Sequence, residues 1–173
     1  PPHCLRGSRT GVFVGITTLD YLRLLTQRLP IAQIDAYVAT NTYFGATCGR
    51  YGNRIRNGRF SIGGRQFQVD RNEGSNHLHG GRSGFDRKVW AALADESLNA
   101  VTFTMTSPDG EQGFPGTVHI STTYRLTDDN VLAIRMRGST DAPTLLNAVH
   151  HTYWNLAGQG AGDVRSQELQ LFS

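Results

Sequence analysis

No stretch of this 173-residue sequence is apolar over the ~20 residues that a bilayer-spanning helix requires, which argues against an integral membrane protein. Cysteine is scarce: Cys4 and Cys48 are the two present, and no CxxC spacing occurs. Neither a disulfide scaffold nor a zinc knuckle can be read from that pair. A reducing, cytoplasmic setting is the default expectation. No apolar core of signal-peptide length precedes Leu24; the chain starts at Pro1, so loss of a leader stays open. Lysine is nearly missing, with Lys88 alone among 17 basic residues. A nucleic-acid footprint is missing too, although the pI is near 9.2. The net charge of +3 sits in residues 1–33, whereas residues 34–173 hold 13 basic and 13 acidic side chains. With no basic stripe interleaved by aromatics, no nucleic-acid partner is expected.

What the sequence does have is glycine, 20 residues of it, and short runs of alternating polarity. "VTFTMT" places Val101, Phe103 and Met105 on one face. "TVHISTTYRL" does the same with Val118, Ile120, Thr122, Tyr124 and Leu126. After the turn "TDDN", "VLAIRM" sets Leu132, Ile134 and Met136 against Arg135 and Arg137. "RFSIGGRQFQV" reads as a hairpin closed by Gly63-Gly64. Strands with one apolar face and tight turns predict antiparallel sheets packed as a sandwich, an all-β fold. There is no βαβ rhythm, fixed-period repeat or low-complexity segment. Residues 1–33 differ from the rest: "LDYLRLLTQRL" has Leu19, Leu22, Leu25 and Leu29 at helical spacing. A helix and a divergent edge both fit that stretch. The domain proper is taken as 34–173.

The loops carry the groups suited to chemistry. "GRYGNRIRNG", "NEGSNHLHGGRSGFD" and "SPDGEQGFPG" combine glycines with Arg, Asn and His, and such loops on a sheet scaffold are where sites gather. In "NAVHHTYWNLAG" the adjacent His150 and His151 must point to opposite faces if the run is a strand, so they cannot share one role. Either ring could be a structural, hydrogen-bonded histidine, or one could transfer protons near neutrality. His77 and His79 have the HxH spacing that puts two rings on one strand face. A metal would need further ligands, and the next acidic residue is the distant Asp86, so no metal site is expected. Arg54 suits either a surface position or a forked grip on vicinal hydroxyls or a ring oxygen. Trp90 and Trp154 are expected in the core. Glu73 and Asp86 read as isolated carboxylates, too far apart in sequence for a glycosidase pair.

The blocks "YFGATCGRYGNRIRNGRFSIGG", "NHLHGGRSGFDRKVW", "SPDGEQGFPG", "NAVHHTYWNLAG" and "DVRSQELQL", in this order, resemble the aldose 1-epimerase (galactose mutarotase) family from about residue 43 to 171. The resemblance implies a large antiparallel β supersandwich with a sugar cleft on its concave face, incomplete here toward the C-terminus. It implies interconversion of the α and β anomers of free aldoses such as glucose and galactose, with no cofactor and a small sugar as partner. His151 would then be the general acid that protonates the ring oxygen. Arg54 and His79 would bind the sugar near that oxygen, and Asn53 and Tyr153 would line the same pocket. Two-sided proton transfer of this kind suits a His paired with a carboxylate.

The sequence departs from the family pattern in three places. The family's general-base Glu and a sugar-gripping Asp match no carboxylate here and would lie beyond Ser173, so the expectation is a fragment of a longer enzyme or a degenerate gene product, nearly inactive when expressed alone. Such a cut would leave unpaired strand edges and poor solubility. His150 stands where the family usually has Asn. Residues 1–33 are unlike the family's opening strands. Two other readings stay open: a non-catalytic carbohydrate-binding protein, and a sugar-phosphate epimerase, which would want extra Arg or Lys for the phosphate.

Overall fold

In the computed structural model the described residues are 13–14, 42–157 and 162–171. The alternating runs form the strands that their polarity predicts. Strands β1 (Phe13–Val14), β7 (Val89–Asp95), β8 (Ala100–Ser107), β9 (Val118–Leu126) and β10 (Leu132–Thr140) form one sheet in that order. Its ladders are all antiparallel, with β8 paired to β9 from Ala100↔Arg125 to Ser107↔Val118. Three two-stranded sheets account for the other strands among the described residues. They pair β2 (Ala46–Cys48) with β11 (Val149–His151), β3 (Arg54–Ile55) with β6 (His77–Leu78), and β4 (Arg59–Ile62) with β5 (Arg65–Gln68). Gly63 and Gly64 turn the β4–β5 hairpin with φ of 56° and 77°, values a side chain would resist. Between the strands lie short 3-10 turns, among them Phe85–Arg87 and Glu111–Gly113. The architecture is all-β and antiparallel, as the alternation predicts.

The core follows from the same alternation. Val118, Ile120, Thr122 and Tyr124 of β9 are buried, and their cluster takes in Phe103 of β8, Trp90 of β7 and Phe85. Each large apolar side chain withdrawn there contributes roughly 1.5–3 kcal/mol. Leu132, Ile134 and Met136 are half-buried while Arg135 and Arg137 face water. Ile55, Val69 and Phe114 form a second cluster beneath the loops. Trp90 is in the core as expected, with its indole N–H donating to the Phe85 carbonyl at 2.9 Å. Trp154 corrects the expectation: it is 50% exposed, because β11 ends at His151 and the chain leaves the sheet before reaching it. Within 1–33, Phe13 and Val14 are strand and pair with Trp90 and Val89; the helical spacing at 19–29 lies outside the described residues.

Arg50 ties the loops to this framework. Its side chain is 2% exposed, and its guanidinium donates five hydrogen bonds, one for each N–H. Nε bonds Ser107 Oγ at 2.8 Å, Nη1 bonds the carbonyls of Pro115 and Gly116, and Nη2 those of Ser107 and Pro108. The loop so clamped reaches onward: the Gln112 carbonyl accepts from Asp70 N at 2.8 Å and its Oε1 from Ser83 N at 3.2 Å. Gly80 marks how closely two loops meet, since a Cβ there would stand 1.6 Å from the Gly49 carbonyl oxygen. No helix among the described residues is long and apolar enough to cross a membrane.

Candidate functional site

One stretch, residues 46–55, brings the candidate side chains together. Its first half is β2, which sets Ala46 opposite His151 and Thr47 opposite His150. Gly52 N then donates to the Asn147 carbonyl at 2.7 Å, and the chain passes into β3, where Arg54 faces Leu78. The end of β11 and the end of β6 are thereby held against neighbouring parts of one template. Consequently the ring centroids of His79 and His151 lie 4.9 Å apart, edge to face, although the residues are 72 positions apart in sequence.

The adjacent histidines point to opposite sides of β11, as strand geometry requires. His151 contacts Tyr153 at 5.2 Å and Tyr43 at 5.6 Å between ring centroids. His150 turns to the core side, where the Tyr124 hydroxyl lies 3.4 Å from its Nδ1 and Thr152 Oγ1 bonds its Nε2. Burial, followed by the neighbouring His151, pulls the His150 pKa down to about 4. Folded His150 is therefore neutral where the unfolded chain, with an ordinary value near 6.5, still binds a proton. The stability tied to this neutrality is present above pH 6.5 and is lost as pH falls toward 4. The full shift corresponds to roughly 3 kcal/mol, and solvent screening of a partly exposed ring lowers that to about 1–2 kcal/mol. His150→Asn is expected to flatten the acid side of the stability curve, read as Tm at intervals between pH 4 and 7; an unchanged slope would refute the assignment.

His77 and His79 do not share a strand face, which corrects the HxH reading. The strand ends at Leu78, and His79 adopts φ 52°, in the left-handed region, so its ring swings toward His151. His77 is fully buried, with Nδ1 2.7 Å from the Asp70 carbonyl and its ring edge-on to Phe114. Among the described residues no three His, Cys, Asp or Glu side chains gather as a metal-binding group.

Asn53 and His79 are locked reciprocally. His79 N donates to the Asn53 carbonyl at 3.1 Å, and Asn53 N donates to His79 Nδ1 at 3.0 Å. An imidazole that accepts at Nδ1 carries its proton on Nε2, so His79 offers an N–H donor to a ligand. Burial, then His151 and Arg54, hold its pKa below the ordinary value, which favours this neutral form. Arg54 is exposed; its Nε donates to Glu73 Oε2 at 2.6 Å, its Nη2 pairs with Oε1, and its Nη1 reaches Asn53 Oδ1 at 3.3 Å. Glu73 is thus not the isolated carboxylate that sequence distance suggested. The ion pair holds its pKa below the usual carboxylate range. Asp86 is paired as well, with Arg87 Nε 3.1 Å from its Oδ2, and burial raises its pKa.

Of the five residues singled out from sequence, His151, His79 and Tyr153 come into ring contact. Asn53 joins them through His79, and Arg54 through the Asn53 side chain. Sequence reasoning missed Tyr43, whose ring centroid lies 4.8 Å from His79 and 5.6 Å from His151. It also missed the Glu73 partner of Arg54. Tyr43 opens the first of the quoted blocks, which was the available signal.

Comparison with known proteins points one way. The sequence profile of the aldose 1-epimerase family matches residues 22–173, which includes the end of the segment that looked unlike the family. Aldose 1-epimerase of Escherichia coli is 35% identical over 185 aligned positions, covering 99% of this chain and 53% of that protein. Galactose mutarotase of Mus musculus is 40% identical over 143, covering 83% of this chain and 41% of that protein. Among solved structures, an aldose epimerase homologue from C. elegans superposes with a TM-score of 0.68 at 33% identity, covering 73% of this chain and 38% of that one. Galactose 1-epimerase from Lactobacillus acidophilus gives 0.66 at 32%, covering 74% and 39%. The chain spans about half the length of the curated relatives it matches.

Proposed function

The chain belongs to the aldose 1-epimerase family, and from that premise we propose that the protein interconverts the α and β anomers of free hexoses such as glucose and galactose. The observation that carries the reading is the paired imidazoles, His79 and His151, 4.9 Å apart and flanked by Asn53, Arg54 and Tyr153. In the proposed reaction a base takes the proton from the C1 hydroxyl while His151, as the general acid, gives a proton to the ring oxygen. The bond from C1 to that oxygen breaks, leaving an aldehyde and a new hydroxyl. After rotation about C1–C2 the hydroxyl attacks the other face of the carbonyl. His151 then recovers its proton and the base returns the other, so the cycle is redox-neutral and closes without a cofactor. His79, donating from Nε2, and Arg54 would hold the oxygens on which negative charge grows. No carboxylate of residues 1–173 matches the family's base, and the proposal assigns that role to none of them. A small sugar partner follows from the same reading, and a cytoplasmic setting is proposed with it.

The test is polarimetry on freshly dissolved α-D-glucose and α-D-galactose with the whole protein. Mutarotation well above the buffer rate is the expected result. Saturable sugar binding with no acceleration would replace the enzyme reading by a carbohydrate-binding one. A clear preference for glucose 6-phosphate over glucose would favour a sugar-phosphate epimerase.

A further inference from the structure

The rings of His79, His151 and Tyr43 form a closed triangle with centroid separations of 4.9, 5.6 and 4.8 Å. Tyr43 therefore touches the proposed acid and its neighbouring donor at once. Its backbone is built for that placement. Tyr43 has φ 55°, a left-handed conformation that an aromatic residue adopts only when the surroundings impose it. The turn that imposes it is tied to the acid's own strand: Gly45 N donates to the His151 carbonyl at 3.0 Å, and Ala46 N to the Tyr43 carbonyl at 3.1 Å. The next residue, Phe44, packs on Tyr153 at 5.1 Å but has no ring contact with either imidazole. One short turn thus carries one ring for the imidazoles and another for the flanking tyrosine.

We propose that Tyr43 is a positioning residue of this site: its ring, wedged against both imidazoles, fixes the angle at which His151 meets the sugar and shields His79 from water. An imidazole at the end of a three-residue strand has few other constraints on its side-chain torsions. His151 has rings on three sides, those of His79, Tyr43 and Tyr153, and Tyr153 is 63% exposed and so constrains it weakly. Removing the Tyr43 ring leaves His151 free to rotate and opens one side of His79. Such freedom at a proton donor lowers the rate of the chemical step; it leaves sugar binding by Arg54, Asn53 and His79 largely unaltered, since Asn53 N still holds the His79 ring at Nδ1. The inference rests on the epimerase reading.

The test compares Tyr43→Phe, Tyr43→Gly, Phe44→Leu and His151→Ala in the whole protein, with kcat and KM from polarimetry and Tm from thermal denaturation. Glycine accepts the left-handed backbone, so Tyr43→Gly removes the ring without straining the turn. The expected result is kcat lowered about 10–100-fold in Tyr43→Gly with KM changed by less than about threefold. Tyr43→Phe, which keeps the ring, should restore kcat to within about threefold, and Phe44→Leu should do no worse. Wild-type kcat in Tyr43→Gly would overturn the proposal. So would an equal fall in Phe44→Leu, since that means the turn and not the ring is at issue, or an equal fall in Tyr43→Phe, since that means the hydroxyl matters. His151→Ala separates the two levels: if it keeps full activity, the epimerase site itself is misassigned, whereas its inactivity beside an active Tyr43→Gly sinks this inference alone.

Discussion

Alanine in place of His151 is expected to lower kcat for anomer exchange by about 10²–10⁴-fold, the range that a positioned general acid supplies. The fold should survive the change. His151 is half-buried, its ring neighbours Tyr43, His79 and Tyr153 all reach the surface, and its backbone pairing with Ala46 needs no side chain. The loss should therefore be seen in kcat with Tm nearly unchanged. His150→Asn makes the contrasting case one residue away. It removes a core-side imidazole hydrogen-bonded to Tyr124 and Thr152, and turnover should stay near wild type. Polarimetry on the two variants decides the matter; loss of activity in His150→Asn with retention in His151→Ala would reverse the assignment of faces.

The largest expected effect on stability is at Arg50. Arg50→Met removes the five-donor group while keeping most of its length; it strands the buried carbonyls of Ser107 and Gly116 and leaves those of Pro108 and Pro115, nearer the surface, without their donor. Hydrogen bonds to a charged donor contribute about 1.5–3 kcal/mol each, but they are not additive, and a total loss of about 3–5 kcal/mol is expected. For a domain of this size that is a large part of the folding free energy. Arg50→Lys keeps the charge with fewer donors and no planar fork, and should fall between the two. Urea denaturation would show the loss as a lower midpoint with an unchanged slope; a midpoint equal to wild type would show that the clamp is redundant. The effect should reach the site, since the clamped loop carries Gln112, and Gln112 holds Asp70 and Ser83 on either side of the His79 loop. Arg54 is the instructive opposite: its pair with Glu73 is exposed, and Glu73→Gln should hardly move Tm.

The two arginines show where sequence reading stops. Both stand in one short Gly-rich block, four positions apart, and nothing local tells the buried clamp from the exposed fork. Burial of Arg50 depends on Ser107 and on the loop to Gly116, segments 57 to 66 positions away. The histidines divide likewise. Opposite faces for His150 and His151 follow from strand geometry alone, and the structure has them so. The shared face for His77 and His79 assumed that the strand continued, and the left-handed turn at His79 breaks it. Side-chain type alone puts Trp154 in the core, and it says nothing of where β11 ends.

What the sequence by itself determined is the all-β antiparallel character, the inward face of β8, β9 and β10, the hairpin at Gly63-Gly64, and the family to which the chain belongs. These are properties of alternation, turn chemistry and ordered motifs, each read within a few residues. Only the tertiary structure decided that residues 46–55 pair first with β11 and then with β6, so that His151, His79 and Tyr43 close into one triangle while His77 and Arg50 are buried elsewhere. Pairing between strands distant in sequence is set by burial and register over the whole sheet, and a local pattern does not carry that information.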